Sequence, residues 1–153
     1  MQIIRQETEY AVRALLSMIF LRGVSVPCGR IAEVCDIPSS FAYKVLHKLV
    51  EASLVRSDAG RGGGFQLARP PKKITLKQIV EAVQGPVEVR DCVLDPDACG
   101  RGEDCPLSAQ WARLQASIAS FLDGKTLYDV SQCFAHPAQG IRAESRCSES
   151  EED

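Results

Sequence analysis

A short helix, a three-residue turn, a second helix with a basic face, and then two strand-like runs around a glycine-rich tip predict a mainly α fold with a small β-hairpin wing. In this order they read as a winged helix-turn-helix. Two further features extend the reading. Residues 1–77 hold 12 Lys+Arg against 6 Asp+Glu, a balance of +6, whereas residues 78–153 hold 6 against 14, a balance of −8. A basic front half is the footprint expected of a protein that binds the phosphate backbone of double-stranded DNA. Downstream, Leu107, Trp111, Leu114, Ile118 and Phe121 recur at intervals of 4, 3, 4 and 3, the narrow seam of a long C-terminal helix that either packs onto its own domain or, as two-fold operators favour, serves as a dimerisation helix. The expected divisions are a winged helix-turn-helix domain at 1–84, a cysteine loop at 85–105, a dimerisation helix and short terminal helix at 106–133, and a disordered acidic tail at 134–153.

Taken in order, Ala11, Ala14, Leu15, Met18 and Ile19 carry the three-and-four spacing of an amphipathic helix over residues 7–22, stopped near Gly23. Val24 to Pro27 is a short extended link, and Pro27 opens a helix from Cys28 to about Val34. Asp36-Ile37-Pro38 is a tight turn. The next helix runs from Pro38 or Ser39 to about Ala52, with Ile37, Phe41, Val45, Leu46, Leu49 and Val50 on its apolar side. Its other face offers Ser39, Ser40, Tyr43, Lys44, His47 and Lys48 to DNA. Strand-like runs at Leu54–Ser57 and Phe65–Leu67 flank the tip, where Arg61, Gly62 and Gly63 are the candidate backbone contacts. The tip does not match a nucleotide-binding P-loop, because no Gly-Lys-Ser/Thr follows. Thr75 caps a helix to Gln84, Gly85-Pro86 breaks it, Pro106 starts the long helix to about Leu122, and Thr126 to Cys133 forms a last short one.

The composition, with 45% hydrophobic and 25% charged residues in 153, is that of an ordinary globular chain with enough length for a core. The longest apolar stretch, Ala14 to Leu21, is interrupted by Ser17 and too short for a bilayer, so no membrane partner is expected. Arg5, Glu7, Glu9 and Arg13 break up any signal-peptide core, and the expected compartment is the cytoplasm, where thiols stay reduced. The seven cysteines there read as metal ligands or redox groups rather than disulfides.

Cys92, Cys99 and Cys105 form a C-x6-C-x5-C run in an acidic, glycine-punctuated loop, so three thiolates could converge on one centre. Soft thiolates select zinc or iron–sulfur clusters. Paired C-x2-4-C knuckles of a structural zinc site are missing, and a fourth ligand has to come from elsewhere. On spacing, an iron–sulfur cluster, zinc, a metal-free thiol switch and incidental cysteines all stay open. Cys35 reads as a buried small hydrophobe, Cys28 similarly, Cys147 lies in the tail, and Cys133 would meet the loop only if the last helix folds back. No catalytic set is recognisable: His47 sits on the proposed DNA face and His136 precedes Pro137 in a loop.

Several segments occur in the order of a known family: Glu9-Tyr-Ala-Val-Arg-Ala14, Ile31-Ala-Glu, Ile37-Pro-Ser-Ser-Phe41, Lys48-Leu-Val, Gly62-Gly-Gly-Phe65, Leu67-Ala-Arg-Pro-Pro71, Ile74-Thr-Leu and the three cysteines. From residue 1 to about 132 the chain resembles the Rrf-two family of transcriptional regulators, the group of the IscR, NsrR and RirA types. The resemblance implies a winged-helix homodimer on a palindromic operator. It further implies a repressor whose DNA affinity follows an iron–sulfur cluster sensing iron, redox state or nitric oxide. Carried over by position, Cys92, Cys99 and Cys105 are the ligands, the helix bearing Ser39, Ser40, Tyr43 and Lys44 enters the major groove, and the wing at Arg61 to Gly63 meets the minor groove.

The chain departs from the family pattern at three places. IscR-type members have a histidine two residues after the third cysteine as fourth ligand to a 2Fe–2S cluster, and here that residue is Leu107. NsrR-type members complete a 4Fe–4S cluster with an acidic residue near the partner's N-terminus. Glu9 occupies that place here, so 4Fe–4S is favoured over 2Fe–2S. A solvated first-turn glutamate is the alternative role for Glu9. An acidic base-reading residue is replaced by Tyr43, and the wing has Ala59 in an arginine's place with Arg61 two residues on. The competing functions are a clusterless regulator responding to thiol oxidation or a partner enzyme, and a small metal or redox protein.

Overall fold

Helix α1 (Gln6–Phe20) carries Thr8, Ala11, Ala14, Leu15 and Met18 into the interior at the expected helical spacing. The computed structural model describes residues 4–21, 25–60, 62–88, 105 and 107–133. Helix α2 (Cys28–Cys35) buries Ile31, Ala32 and Cys35 against α1, and ends at Asp36, which takes the left-handed conformation (φ 52°, ψ 50°). That reversal lets the Ile37 amide donate back to the Ala32 carbonyl at 2.9 Å and aims the chain into α3 (Ser39–Glu51). Helix α3 buries Ala42, Val45, Leu46 and Leu49 against α1 and α2. Helix, turn and helix therefore share one apolar core, as the sequence predicts.

Strands β1 (Val55–Asp58) and β2 (Gly64–Leu67) form the antiparallel hairpin, in register Val55↔Leu67, Arg56↔Gln66, Ser57↔Phe65 and Asp58↔Gly64. Val26, in the link before α2, adds a bridge on the other side of β2: its amide donates to the Phe65 carbonyl at 2.9 Å, and its carbonyl accepts from the Phe65 amide at 2.8 Å. Gly64 makes this approach possible. A Cβ there would lie 2.8 Å from the Pro27 nitrogen and closer still to the Val26 carbonyl. The wing is thus sewn to the helix-turn-helix through backbone.

A short 3₁₀ turn (Pro71–Lys73) leads to α4 (Leu76–Gln84), then α5 (Ser108–Gly124) and α6 (Leu127–Gln132). Thr75 and Thr126 each close a capping box on their own helix and also pair with each other. The Leu76 amide donates to Lys125 O and the Leu127 amide to Ile74 O, both at 2.8 Å, which fixes the end of α5 to the start of α4. Leu122, with Ile118 beside it, meets Val80 and Val87 in a small second cluster where α5 leans on α4.

Two expectations shift. Phe41 is 41% exposed rather than in the core; Ala42 takes the buried position, and the Phe41 ring meets Tyr10 edge-on at 6.1 Å. The long helix starts at Ser108, two residues after the expected Pro106. The acidic tail from 134 lies outside the described residues.

Candidate nucleic-acid interface and cysteine loop

Ser39, Ser40, Tyr43, Lys44 and His47 are all exposed on α3, since each stands one or more residues off the buried stripe at Ala42, Val45, Leu46 and Leu49. Residues four apart share a helix face, and the Tyr43 and His47 rings meet at 4.3 Å with a 51° tilt. His47 in turn meets the edge of Phe65 in β2 at 6.4 Å, linking the exposed face of α3 to the wing. The Lys44 ammonium lies 5.7 Å from the Phe41 ring centre. Helix α3 begins behind Pro38 without a side-chain cap, so its first amides and its dipole are suited to a phosphate.

At the wing tip, Gly62 has φ 86°, a conformation that side chains disfavour, and the Gly63 amide donates to Gly60 O at 2.9 Å. Arg61 lies outside the described residues. Along the outer wing, Arg56 donates to Gln66 at 2.8 Å and Gln66 to Asp58, a cross-strand row that stiffens the hairpin.

Lys48 is engaged within the chain. It is half-buried, and its ammonium donates to Glu7 Oε2 at 2.9 Å and to Val83 O at 2.7 Å. Next to it, the Gln84 side chain accepts from the Arg5 amide at 3.0 Å and from buried Thr8 at 2.8 Å. The end of α4, from which the cysteine loop departs, is therefore held by both α1 and α3. Periodicity gave no signal for this junction, because it joins helix ends far apart in sequence.

The Lys48 hydrogen bond, and then its charge, hold the Glu7 carboxyl below its ordinary value of 4.5. A depressed carboxylate contributes stability that is present above the ordinary value and lost as pH falls through the lower folded value. Glu7→Gln should thus cost about 0.2–1 kcal/mol near neutral pH, as for other exposed pairs. That cost should vanish as pH falls below 4.5 and through the lower folded value. Chemical denaturation at several pH values checks this, and a pH-independent cost would contradict it.

Of the three loop cysteines, Cys92 and Cys99 lie outside the described residues. Cys105 is half-buried beside the first turn of α5, and its carbonyl accepts from Ser108 N at 3.1 Å and Ser108 Oγ at 2.8 Å. Among the described residues no three His, Cys, Asp or Glu side chains come together as a metal site. Burial pushes the Cys35 and Cys28 thiols up, which keeps them protonated and inert; Cys35 donates to Arg13 O at 3.4 Å. Cys133 is exposed, with its thiol on Asp129 O. Glu9 is exposed and ion-paired with Arg13 one turn on. Leu107, at the cap of α5, and Leu114 and Phe121 on it are exposed, Trp111 is half-buried and Ile118 packs partly against α4, so Leu122 rather than the seam makes the main contact within the chain.

Residues 4–132 match the family described as Rrf2, iron-dependent transcriptional regulator. The chain belongs to the Rrf2 family. It is similar to the HTH-type transcriptional regulator IscR of Aliivibrio salmonicida, at 34% identity over 122 residues, 79% of this chain and 72% of that protein. The solved structure of T. potens IscR aligns with a TM-score of 0.63 and 26% identity, over 92% of this chain and 93% of that one. CymR, the global cysteine regulator of B. subtilis, shares the fold with a TM-score of 0.69 at 22% identity, over 86% and 98%. This Rrf2 chain is accordingly a DNA-binding transcriptional regulator with a winged helix, not an enzyme. Among its described residues no helix is long and apolar enough to cross a membrane.

Proposed function

We propose that this regulator is a cytoplasmic homodimeric repressor whose affinity for a palindromic operator is controlled by an iron–sulfur cluster on Cys92, Cys99 and Cys105. The observation that carries the reading is the C-x6-C-x5-C run placed between α4 and α5, with Cys105 anchored at the start of α5. The donor set suits such a group, because soft thiolates select zinc or iron–sulfur clusters. With Leu107 unable to ligate, Glu9 of the partner subunit is the candidate fourth ligand, which favours 4Fe–4S over 2Fe–2S. Glu9 itself is exposed, while Arg13, to which it is ion-paired, is half-buried and also donates to Cys35 O. When bound, the cluster supplies a centre that responds to iron supply, oxidation or nitric oxide.

The chain's own residues do the rest. Ser39, Ser40, Tyr43, Lys44 and His47 face the major groove, Arg61, Gly62 and Gly63 reach the minor groove, and Lys48, already paired, holds α3 to α4 instead. The seam of Leu107, Trp111, Leu114, Ile118 and Phe121, of which Leu107, Leu114 and Phe121 are exposed, pairs with a second copy, matching the two-fold symmetry of an operator. Asp91, Asp95, Asp97, Glu103 and Asp104 lie in sequence among the three cysteines, so like charges would repel in this stretch without the cluster, and its loss would bias the spacing of the two recognition helices.

Iron and sulfide counts on anaerobically purified protein test the ligand set. We expect a cluster in the wild type, its loss in the Cys92→Ala/Cys99→Ala/Cys105→Ala variant, and a weakened or altered cluster in Glu9→Ala. A colourless wild type that still binds DNA would favour the clusterless, thiol-responsive reading instead.

A further inference from the structure

The ring contacts of α3 form a column that the DNA-contact row alone does not explain. Tyr43 is 55% exposed, an unusual position for a large aromatic side chain on a helix that has a well-filled apolar face. Its ring is nevertheless held, because His47 lies 4.3 Å away on the same face. His47 is braced from behind by the Phe65 ring at 6.4 Å and 75°. Phe65 is the fixed end of the column: it is 8% exposed, paired to Ser57 across the hairpin and to Val26 through two backbone hydrogen bonds. An exposed side chain normally loses rotamer freedom when it binds, and bracing it beforehand removes much of that cost. A tyrosine hydroxyl is both donor and acceptor, so a fixed one can discriminate between base edges in the major groove.

We propose that His47 is a positioning residue that sets the Tyr43 ring against the wing, so that operator preference depends on a ring pair and not on Tyr43 alone. The proposal rests on α3 being the helix that enters the major groove. It also ties the two DNA-contacting parts together: helix and wing read the duplex as one rigid unit because Phe65 belongs to the wing.

The test is selection from a double-stranded DNA library with a randomised core, at fixed salt, by the full-length protein and three variants at exposed positions. Tyr43→Phe keeps the ring and removes the hydroxyl, His47→Ala removes the brace, and His47→Phe restores a ring in its place. The expected result is about a tenfold loss of discrimination at one and the same base pair in Tyr43→Phe and His47→Ala, with His47→Phe restoring most of it. A merely structural role for His47 would lower thermal stability and leave base preference alone, and that result would overturn the proposal. The proposal is also overturned if Tyr43→Phe keeps the wild-type preference. It is equally overturned if His47→Ala weakens binding to all sequences alike and lowers the salt slope by about one, the mark of a phosphate contact. A wild-type protein that retains DNA with no preferred sequence would overturn the major-groove role of α3 as well, and that outcome is seen without any variant.

Discussion

Leu46→Ala is expected to destabilise the protein by about 2.7–5 kcal/mol, the range for emptying a well-packed leucine site. Leu46 is fully buried at the centre of α3, inside the core shared with α1 and α2. The surrounding residues belong to helices tied at both ends, by the Ile37 amide on one side and the Lys48 junction on the other, so the cavity has little room to collapse. For a chain of this size the loss corresponds to roughly 5–20 °C in melting temperature. Thermal and urea unfolding measure it, and a cost below about 1 kcal/mol would mean that α3 does not sit in a close-packed core. Phe41→Ala on the same helix should cost much less, because Phe41 is exposed and touches mainly Tyr10 and Lys44.

The second large effect is expected at Gly64. A side chain there meets the backbone of Val26 and Pro27, which cannot rotate away. Gly64→Val should therefore break the Val26–Phe65 bridge and both of its backbone hydrogen bonds, at about 1–3 kcal/mol for each group left buried without a partner. The wing would be pushed off the helix-turn-helix and would no longer reach the duplex in step with α3, so DNA retention should fall as well. Gly29→Ala provides the contrast. Gly29 lies within α2 with open space around it, and alanine there should be neutral or stabilising by up to about 1 kcal/mol. Equal behaviour of the two variants in unfolding and in DNA retention would contradict the bridge.

Most of the fold was legible because it rests on local signals. The three-and-four spacing marked α1, α3 and α4, Thr75 marked a cap, and glycines marked the hairpin tip. What escaped was non-local. Val26 contributes a single bridged residue, too short to carry any alternation, yet it fixes the wing. The basic face of α3 looked uniform from its composition, but Lys48 reaches Glu7 and Val83 across 41 and 35 residues of sequence, and only three-dimensional placement separates it from Lys44. Phe41 fitted the apolar stripe within one residue, and a rotation of that size was enough to bring Ala42 inward instead. The α5 seam was legible as a pattern, whereas the role of Leu122 in holding α5 to α4 was not, since it falls just off the seam. The three loop cysteines were legible as candidate ligands from spacing and resemblance; of these, Cys105 lies among the described residues, just before α5.

The central claim is that the cluster loop sets DNA affinity. It is tested most directly by measuring operator binding of one anaerobic preparation before and after its iron is removed by a chelator, at constant salt. Cluster control predicts a change in affinity of at least about tenfold, about 1.4 kcal/mol or more, in a form abolished by Cys105→Ala. Unchanged operator affinity after complete loss of iron would contradict it.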